Sequence, residues 1–338
     1  MDLTFKLWCP RCGFRGSAGE YHPWCPRCRG PLEGEDLPPP RPILGEGGTP
    51  LVEFHSGAYA KLEYLNPSGS FKDRGVGYSL WIARRLGYKC AVVDSSGNTG
   101  LSTAVYSAYL GLEARIYVPA SAAPGKKSLI RAVGARLIET RTRDEARIMA
   151  EREADECFHI AHPTSALFLE GMKTAGTELA GHAEGADIFV PTSSGSLLIG
   201  INRGLREAGV GGYRLIAVQS KNAYSLKGRV PELASIGGDQ ASLLDALLLR
   251  NPARLEELAR AVLETGGGVV AVGDEAAVAG FREAHAKGLL AEPSSAAALA
   301  AFLSLKEKLE ARRAILVLTG SSLKYVGLIE NIISRRKL

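Results

Sequence analysis

The chain has 338 residues, 46% of them apolar and 23% charged, with a formal net charge of +5. That balance is the balance of a soluble globular protein, and so slight a charge at this length calls for neither a nucleic-acid nor an anionic-membrane partner. The length predicts two to three domains. No apolar run is long enough to span a bilayer, and the opening "MDLTFKLWCPRC" lacks the apolar core of a secretory signal. The expectation is a cytoplasmic protein with no membrane partner. Gln occurs only at Gln219 and Gln240 while Arg is plentiful, which points to a thermophilic source.

Four of the six cysteines lie in the first 28 residues, as "CPRC" at Cys9 and Cys12 and again at Cys25 and Cys28. Each CxxC closes a tight knuckle that aims two thiolates at one centre. Two knuckles make the tetrahedral sulfur cage that zinc prefers; iron, or a site that has lost its metal, is the alternative. A redox reading fits poorly, because the motif is doubled and no βαβ pattern surrounds it. Disulfides fit a cytoplasmic chain poorly as well. Residues 1–34 therefore read as a zinc ribbon with Cys9, Cys12, Cys25 and Cys28 as ligands. Arg11, Arg15, Arg27 and Arg29 in the same stretch keep a nucleic-acid or protein-binding module as a remote alternative. Residues 33–50, "EGEDLPPPRPILGEGGTP", read as a linker into a main domain over 35–338. Cys90 and Cys157 stand alone at the edges of apolar runs and read as buried thiols.

After "YAKLEYL" comes "NPSGSFKDRG", residues 66–75, a turn cluster that carries Phe71 and Lys72, with Asp73 and Arg74 opening a helix. A lone Lys is usually solvated, so Lys72 needs independent support. From residue 73 onward short β-branched runs alternate with longer stretches of helical spacing. The runs are "CAVVDSS", "ARIYVPA", "ARLIET", "ADIFVPTS", "RLIAVQS", "GGVVAVG" and "AILVLTG"; the helical stretches include 99–110, 143–154, 196–208, 274–286 and 294–311. Near-continuous apolar strands between helices predict parallel sheets covered on both faces. The length suggests two doubly wound α/β lobes, the smaller over roughly 76–180. Three strands run into small polar loops and then helices: "SSGNTG" at 95–100, "TSSGSLLIG" at 192–200 and "TGSSLK" at 319–324. Ligands bind at the carboxyl ends of strands in open α/β sheets, and helix N-termini favour anions. Three such loops suggest an extended anionic ligand. None fits GxxxxGK[ST] or GxGxxG, so a nucleoside triphosphate or a dinucleotide is not the first choice.

"GEGGTP", "KLEYLNPSGSFKDRG", "SSGNTG", "AEPSSAAALA" and "LTGSSLK", in this order, resemble threonine synthase and its relatives among the fold-type II pyridoxal-phosphate enzymes. The resemblance spans essentially the whole chain, and the paired-Cys ribbon is similar to that of many threonine-synthase-like proteins. It implies a pyridoxal 5'-phosphate cofactor bonded to Lys72, whose amine then acts as general base on the substrate α-carbon. It places Asn98 on the 3-oxygen of the cofactor ring, and Ser193, Ser194, Gly195, Ser196 and Leu197 around the cofactor phosphate. It sets Thr319 against the ring nitrogen, with Ser321 as the backup. Ser95, Ser96 and Thr99 would hold the substrate carboxylate. Beside Lys72, Phe71 reads either as an apolar wall or as plain core. The implied partner is a small amino-acid substrate, and the implied assembly is a homodimer.

One departure bears on substrate. Relatives carry an Arg in "NP-x-R-x-EG-x-KT"; here the stretch is "FHIAHPTSALFLEGMKT", and the Arg position is Phe168 or Ser165 according to the anchor chosen. No Arg lies between Arg152 and Arg203. Lys61, Lys126, Lys127 and Lys173 are the remaining cations for a substrate phosphate, and His159 and His162 are polar residues near that stretch. Two activities follow from the resemblance: threonine synthesis from O-phosphohomoserine, and β-replacement or β-elimination on O-phosphoserine, serine or threonine. Glu292 and the rest of "EPSSAAALA" read chiefly as a Pro-started helix with a small-residue packing face.

Overall fold

The computed structural model describes residues 3–95, 97–122, 124–309, 312–324, 329 and 332. In chain order the elements begin with β1 (Lys6–Trp8), β2 (Glu33–Glu35), β3 (Leu51–His55), β4 (Ala58–Lys61), α1 (Lys72–Arg85), β5 (Cys90–Asp94) and α2 (Asn98–Leu110). Next come β6 (Glu113–Pro119), α3 (Pro124–Ala132), β7 (Arg136–Thr140), α4 (Arg143–Arg152), β8 (Phe158–His159), α5 (Ala166–Ala183), β9 (Asp187–Pro191) and α6 (Ser196–Glu207). The last are β10 (Arg214–Ser220), β11 (Glu232–Ile236), α7 (Leu255–Glu264), β12 (Gly268–Val272), α8 (Asp274–Ala286), α9 (Pro293–Leu305) and β13 (Ala314–Val317). None of the described helices is long and apolar enough to cross a membrane.

By internal contacts the chain forms two units. One comprises Met1–Gly47, Asn66–Ser68 and Lys72–Thr174; the other comprises Gly48–Leu65, Gly69–Phe71 and Ala175–Leu338. The first holds the antiparallel pair β1–β2 and a parallel four-stranded sheet in the order β7-β6-β5-β8. The cysteine ribbon is thus grouped with the smaller α/β sheet. The strand β2 takes up residues 33–35, the start of the stretch read as linker.

The second unit holds a seven-stranded sheet in the order β11-β12-β10-β9-β13-β4-β3, parallel except for the edge pair β3–β4. β9, β12 and β13 are buried end to end, as central strands of a doubly covered sheet must be, whereas the edge strands β3 and β11 alternate and stay partly exposed. α9 is buried almost all round because its first nine residues are Pro, Ser, Ala and one Leu. Its small surface lets Gly280 of α8 approach: a methyl on Gly280 would lie 2.6 Å from the Ala296 carbonyl oxygen.

Strand order fixes where ligands go. In the first sheet the chain runs outward from β5 to β6 and β7, then returns to β8 on the other side of β5. In the second it runs from β9 to β10 and outward, then returns to β13 on the other side of β9. Both points are topological switches, and there the carboxyl ends of adjacent strands diverge to leave room for a ligand. "SSGNTG" and "HIAH" follow β5 and β8; "TSSGS" and "TGSS" follow β9 and β13.

Cys90 and Cys157 correct the sequence reading. They form a disulfide across 67 residues, from the start of β5 to the residue before β8. No periodicity announces this, because β8 is two residues long and its pairing with β5 is a tertiary fact.

Candidate active site

Lys72 is the first residue of α1 and is half-buried. The turn before it is held by Asp73, a fully buried carboxylate. Asp73 accepts the Ser68 backbone N–H at 2.6 Å, the Ser68 hydroxyl, and the Ser102 hydroxyl at 2.6 Å. The Ser102 bond ties the start of α1 to α2, the helix that begins at Asn98. The same turn of α1 meets α5 at Gly171, where a methyl would collide with the Arg74 carbonyl. Buried Arg74 donates to the Thr174 hydroxyl at 2.8 Å, so Asp73 and Arg74 both position the helix start. An aromatic face beside Lys72 comes from Phe168: the Lys72 ammonium lies 5.7 Å from the centroid of the Phe168 ring. Phe71, half-buried, donates its N–H to the Thr319 carbonyl at 3.0 Å.

At the first switch point, Ser95 closes the loop after β5 by accepting the Gly97 N–H at 3.3 Å. α2 then starts at Asn98 behind Gly97, which offers no side-chain cap. Thr99 is buried and its carbonyl accepts the Thr103 hydroxyl at 2.8 Å. Gly100 is required here because a methyl would overlap the Ser95 carbonyl oxygen. Ser96 lies outside the described residues. Burial raises the carboxyl of Asp94, the last residue of β5, to about 6. After β8, His159 is buried with both ring nitrogens unpartnered, and burial pushes it down to about 4. His162 faces Phe168 at 5.9 Å between ring centroids; burial first, then the charges of Lys72 and His159, hold it well below the usual range. Both imidazoles are therefore neutral at physiological pH.

At the second switch point, Gly195 adopts φ 84° and caps α6 without a side-chain bond. The Ser193 hydroxyl accepts the Leu249 N–H at 3.2 Å, and the Ser194 and Ser196 hydroxyls lie 3.2 Å apart. Leu197 is buried in the first turn behind them. Thr319 is buried two residues past β13, the strand paired with β9. Ser321 accepts the Leu323 N–H at 3.2 Å and so serves its own turn. Glu292 precedes α9, and a methyl on Gly320 would lie 2.5 Å from its carboxylate, so it fills the space beside that glycine.

Three of the four remaining cations are engaged, and the Lys126 side chain lies outside the described residues. Lys61, 3% exposed, donates to Glu178 and to the Thr49 carbonyl, both at 2.6 Å. Lys173 pairs with Glu170 at 2.8 Å and Lys127 with Glu139 at 2.8 Å. Phe168 is 1% exposed and packs on Gly75, where a methyl would lie 2.7 Å from its ring.

The four ribbon cysteines bring their sulfurs within 4.8 Å of one another. The two knuckles repeat one geometry: Gly13 N–H donates to the Cys9 carbonyl at 3.0 Å, and Arg29 N–H to the Cys25 carbonyl at 2.8 Å. Both closing residues have positive φ, 71° at Gly13 and 58° at Arg29. A non-glycine there is strained. Arg29 is kept by its side chain, which stacks 3.9 Å from the Trp24 ring centroid and pairs with Glu151.

The sequence profile of pyridoxal-phosphate dependent enzymes matches residues 43–320. Among curated proteins, the threonine synthase of Bacillus sp. (strain ULM1) is 28% identical over 302 residues, covering 83% of this chain and 84% of that protein. The threonine synthase of Synechocystis sp. (strain ATCC 27184 / PCC 6803 / Kazusa) is 28% identical over 342 residues, covering 94% of this chain and 86% of that one. Among solved structures, a fungal L-serine ammonia-lyase from Rhizomucor miehei superposes with a TM-score of 0.72 at 24% identity, over 85% of this chain and 98% of that one. Maize serine racemase gives 0.69 at 20% identity, over 85% and 92%.

Proposed function

Because the chain belongs to the pyridoxal-phosphate dependent enzyme family, we propose that it is a threonine-synthase-type lyase that converts O-phosphohomoserine to threonine and phosphate. One observation carries this reading. Lys72 opens α1 from a turn locked by buried Asp73, in a chain similar to threonine synthases over 83% to 94% of its length. Bound pyridoxal phosphate supplies an electron sink for charge that develops at a substrate α-carbon. The chain's part is to hold, orient and move protons. Lys72 holds the cofactor covalently and takes the α-carbon proton as general base. Asn98 meets the 3-oxygen of the ring. Ser193, Ser194, Gly195, Ser196 and Leu197 hold the phosphate. The fit is supported by the open, uncapped start of α6 and its three hydroxyls, a donor set matched to a dianion. Thr319 meets the ring nitrogen; a hydroxyl does not fix a proton there as a carboxylate does, which suits elimination and replacement over transamination. Ser95, Ser96 and Thr99 hold the substrate carboxylate.

We infer likewise that Cys9, Cys12, Cys25 and Cys28 hold a structural zinc. Four soft sulfurs gathered by two matched knuckles fill a tetrahedral site and leave no open position for chemistry. A cytoplasmic homodimer from an organism that grows hot completes the proposal, in keeping with a Gln-poor, Arg-rich chain.

The engaged cations favour a second reading. A buried phosphate dianion needs charge-assisted donors, usually a bidentate Arg. Here Lys61, Lys127 and Lys173 are each paired with a carboxylate, and Phe168 is core. That points to β-replacement or β-elimination on serine or threonine, which carry no second phosphate, ahead of O-phosphoserine. One experiment separates the two. The purified enzyme is given O-phosphohomoserine, O-phosphoserine, serine and threonine, and phosphate, ammonia and keto acid are followed. Saturable phosphate release from O-phosphohomoserine supports the first reading; turnover of serine or threonine alone supports the second. Borohydride reduction and peptide mapping test the shared premise: label on any residue but Lys72 overturns it.

A further inference from the structure

The ribbon is docked on one short segment of its unit, and the far side of that segment faces Lys72. Tyr21 stacks on Phe158 at 4.0 Å between ring centroids and donates its hydroxyl to the His159 carbonyl at 2.8 Å. Trp24 meets the edge of His159 at 5.2 Å. The Thr164 hydroxyl donates to the Pro23 carbonyl at 2.7 Å, and Leu32 N–H donates to the Thr164 carbonyl at 3.1 Å. Arg29 reaches Glu151, on the helix before the segment. Beyond the two-residue strand β8, residues 160–165 belong to no helix or strand; Ile160 N–H donates to the Val92 carbonyl at 2.9 Å and tight turn bonds follow it, and the ribbon's bonds add a hold from outside. The segment's other contacts run toward Lys72. The Ser165 hydroxyl, 3.5 Å from the Tyr21 hydroxyl, accepts the Phe168 N–H at 3.3 Å and so sets the first turn of α5. That turn presents the Phe168 ring to the Lys72 ammonium, with His162 on the same ring.

We propose that Tyr21 of the cysteine ribbon is a positioning residue for Lys72, acting through the His159–Phe168 segment, so that an intact ribbon is part of what sets the environment of the Lys72 amine. Phe168 and His162 are the groups that would move. A ring 5.7 Å from an ammonium stabilises its charged form, so displacing Phe168 changes how readily Lys72 gives up its proton. This rests on Lys72 being the cofactor lysine; the link from ribbon to segment stands apart from that reading.

The test uses the zinc- and cofactor-loaded enzyme and the variants Tyr21→Phe and Trp24→Leu. Zinc content and melting temperature first establish that each variant is folded with its ribbon filled. Two readouts follow. Hydrogen exchange over residues 158–168 should quicken about fivefold in Tyr21→Phe, as expected for the loss of one buried hydrogen bond. The pH midpoint of the visible absorbance of the Lys72-bound cofactor should shift from its wild-type value. Stripping the metal with a chelator should produce both changes in the wild type. Wild-type exchange and an unmoved midpoint in both variants overturn the proposal, as does metal removal that leaves 158–168 protected. A variant too unstable to hold zinc is replaced in the comparison by Thr164→Val, which removes one docking bond from the opposite side and should quicken the same peptide. If borohydride fails to label Lys72 in the wild type, the cofactor reading falls, while the exchange data still report the ribbon's hold on the segment.

Discussion

Phe168 decides whether a phosphate clamp can be installed beside Lys72. It is one of the two positions, with Ser165, at which the sequence comparison expects an Arg, yet it is 1% exposed and its ring covers Gly75 of α1. A guanidinium there would be buried without a carboxylate, which costs at least about 3 kcal/mol. Phe168→Arg should therefore lower the denaturant midpoint well below that of Phe168→Leu, and should not improve saturation by O-phosphohomoserine. An Arg variant as stable as the wild type, with a lower KM for that substrate, would show that the ring can leave its place. His159 gives a second expectation. Its folded pKa is about 4 against an ordinary value near 6.5, because burial penalises the charged ring. The unfolded chain therefore takes up the proton first. Stability is complete above pH ~6.5, falls as the pH drops toward 4, and levels off below, a loss of about 3 kcal/mol. Denaturant titrations across this window should show the slope, and His159→Leu should flatten it; equal slopes in both would assign the titration to another group.

Among the elements, helix starts carry the proposed site and glycines permit them. α2 begins one turn after Ser95, and Gly100 is the position at which its backbone touches the Ser95 carbonyl. Gly100→Ala should push α2 off the loop. The expected result is pyridoxal-phosphate affinity, by fluorescence titration, weakened at least about tenfold with most of the melting temperature retained; unchanged affinity would mean that the loop needs no such contact. Glycine also explains what sequence pattern does and does not reveal. The seven near-continuous apolar runs are all strands, because doubly covered strands need apolar residues on both faces. β3, β4 and β11 escape that pattern; β3 and β11 are edge strands with polar residues toward solvent, "LVEFH" and "ELASI". α5 is also hard to read, since Gly171 and Gly176 break its propensity. Those glycines exist for tertiary reasons, close approach to Arg74 and to Ile201 respectively. Lys72, Asn98, Thr319 and the four ribbon cysteines stand out in sequence because their motifs are local. Tyr21, Ser165 and Phe168 do not, because their placement depends on a docking that joins residues more than 130 apart in the chain.

For the whole molecule, the covalent link between Cys90 and Cys157 is the feature that a cytoplasmic reading argues against most directly. Intracellular disulfides do persist in organisms that grow hot, and the surroundings of this one suit that setting. On the neighbouring strand β6, Arg115 pairs with Glu113 of its own strand and with Glu153 and Glu156 beyond α4, while Tyr117 bonds Glu153, so the stretch that leads to Cys157 is also held to the sheet by charge. Such networks gain value at high temperature. The cross-link closes a 67-residue loop, which in the chain-entropy account removes about 4 kcal/mol of unfolded-state freedom. Reduction should therefore lower the melting temperature by about 5 °C. The ion pairs should keep the protein folded at room temperature, and faster hydrogen exchange should appear within residues 72–174, where both cysteines lie. The double variant Cys90→Ser with Cys157→Ser should melt like the reduced wild type and ignore the reductant. The ribbon cysteines complicate a reductant experiment, so it is run with zinc in excess and the metal content checked. Alkylation of Cys90 and Cys157 in the native, unreduced protein, or a melting temperature indifferent to both reductant and double variant, would return these residues to the pair of buried thiols that the sequence suggests.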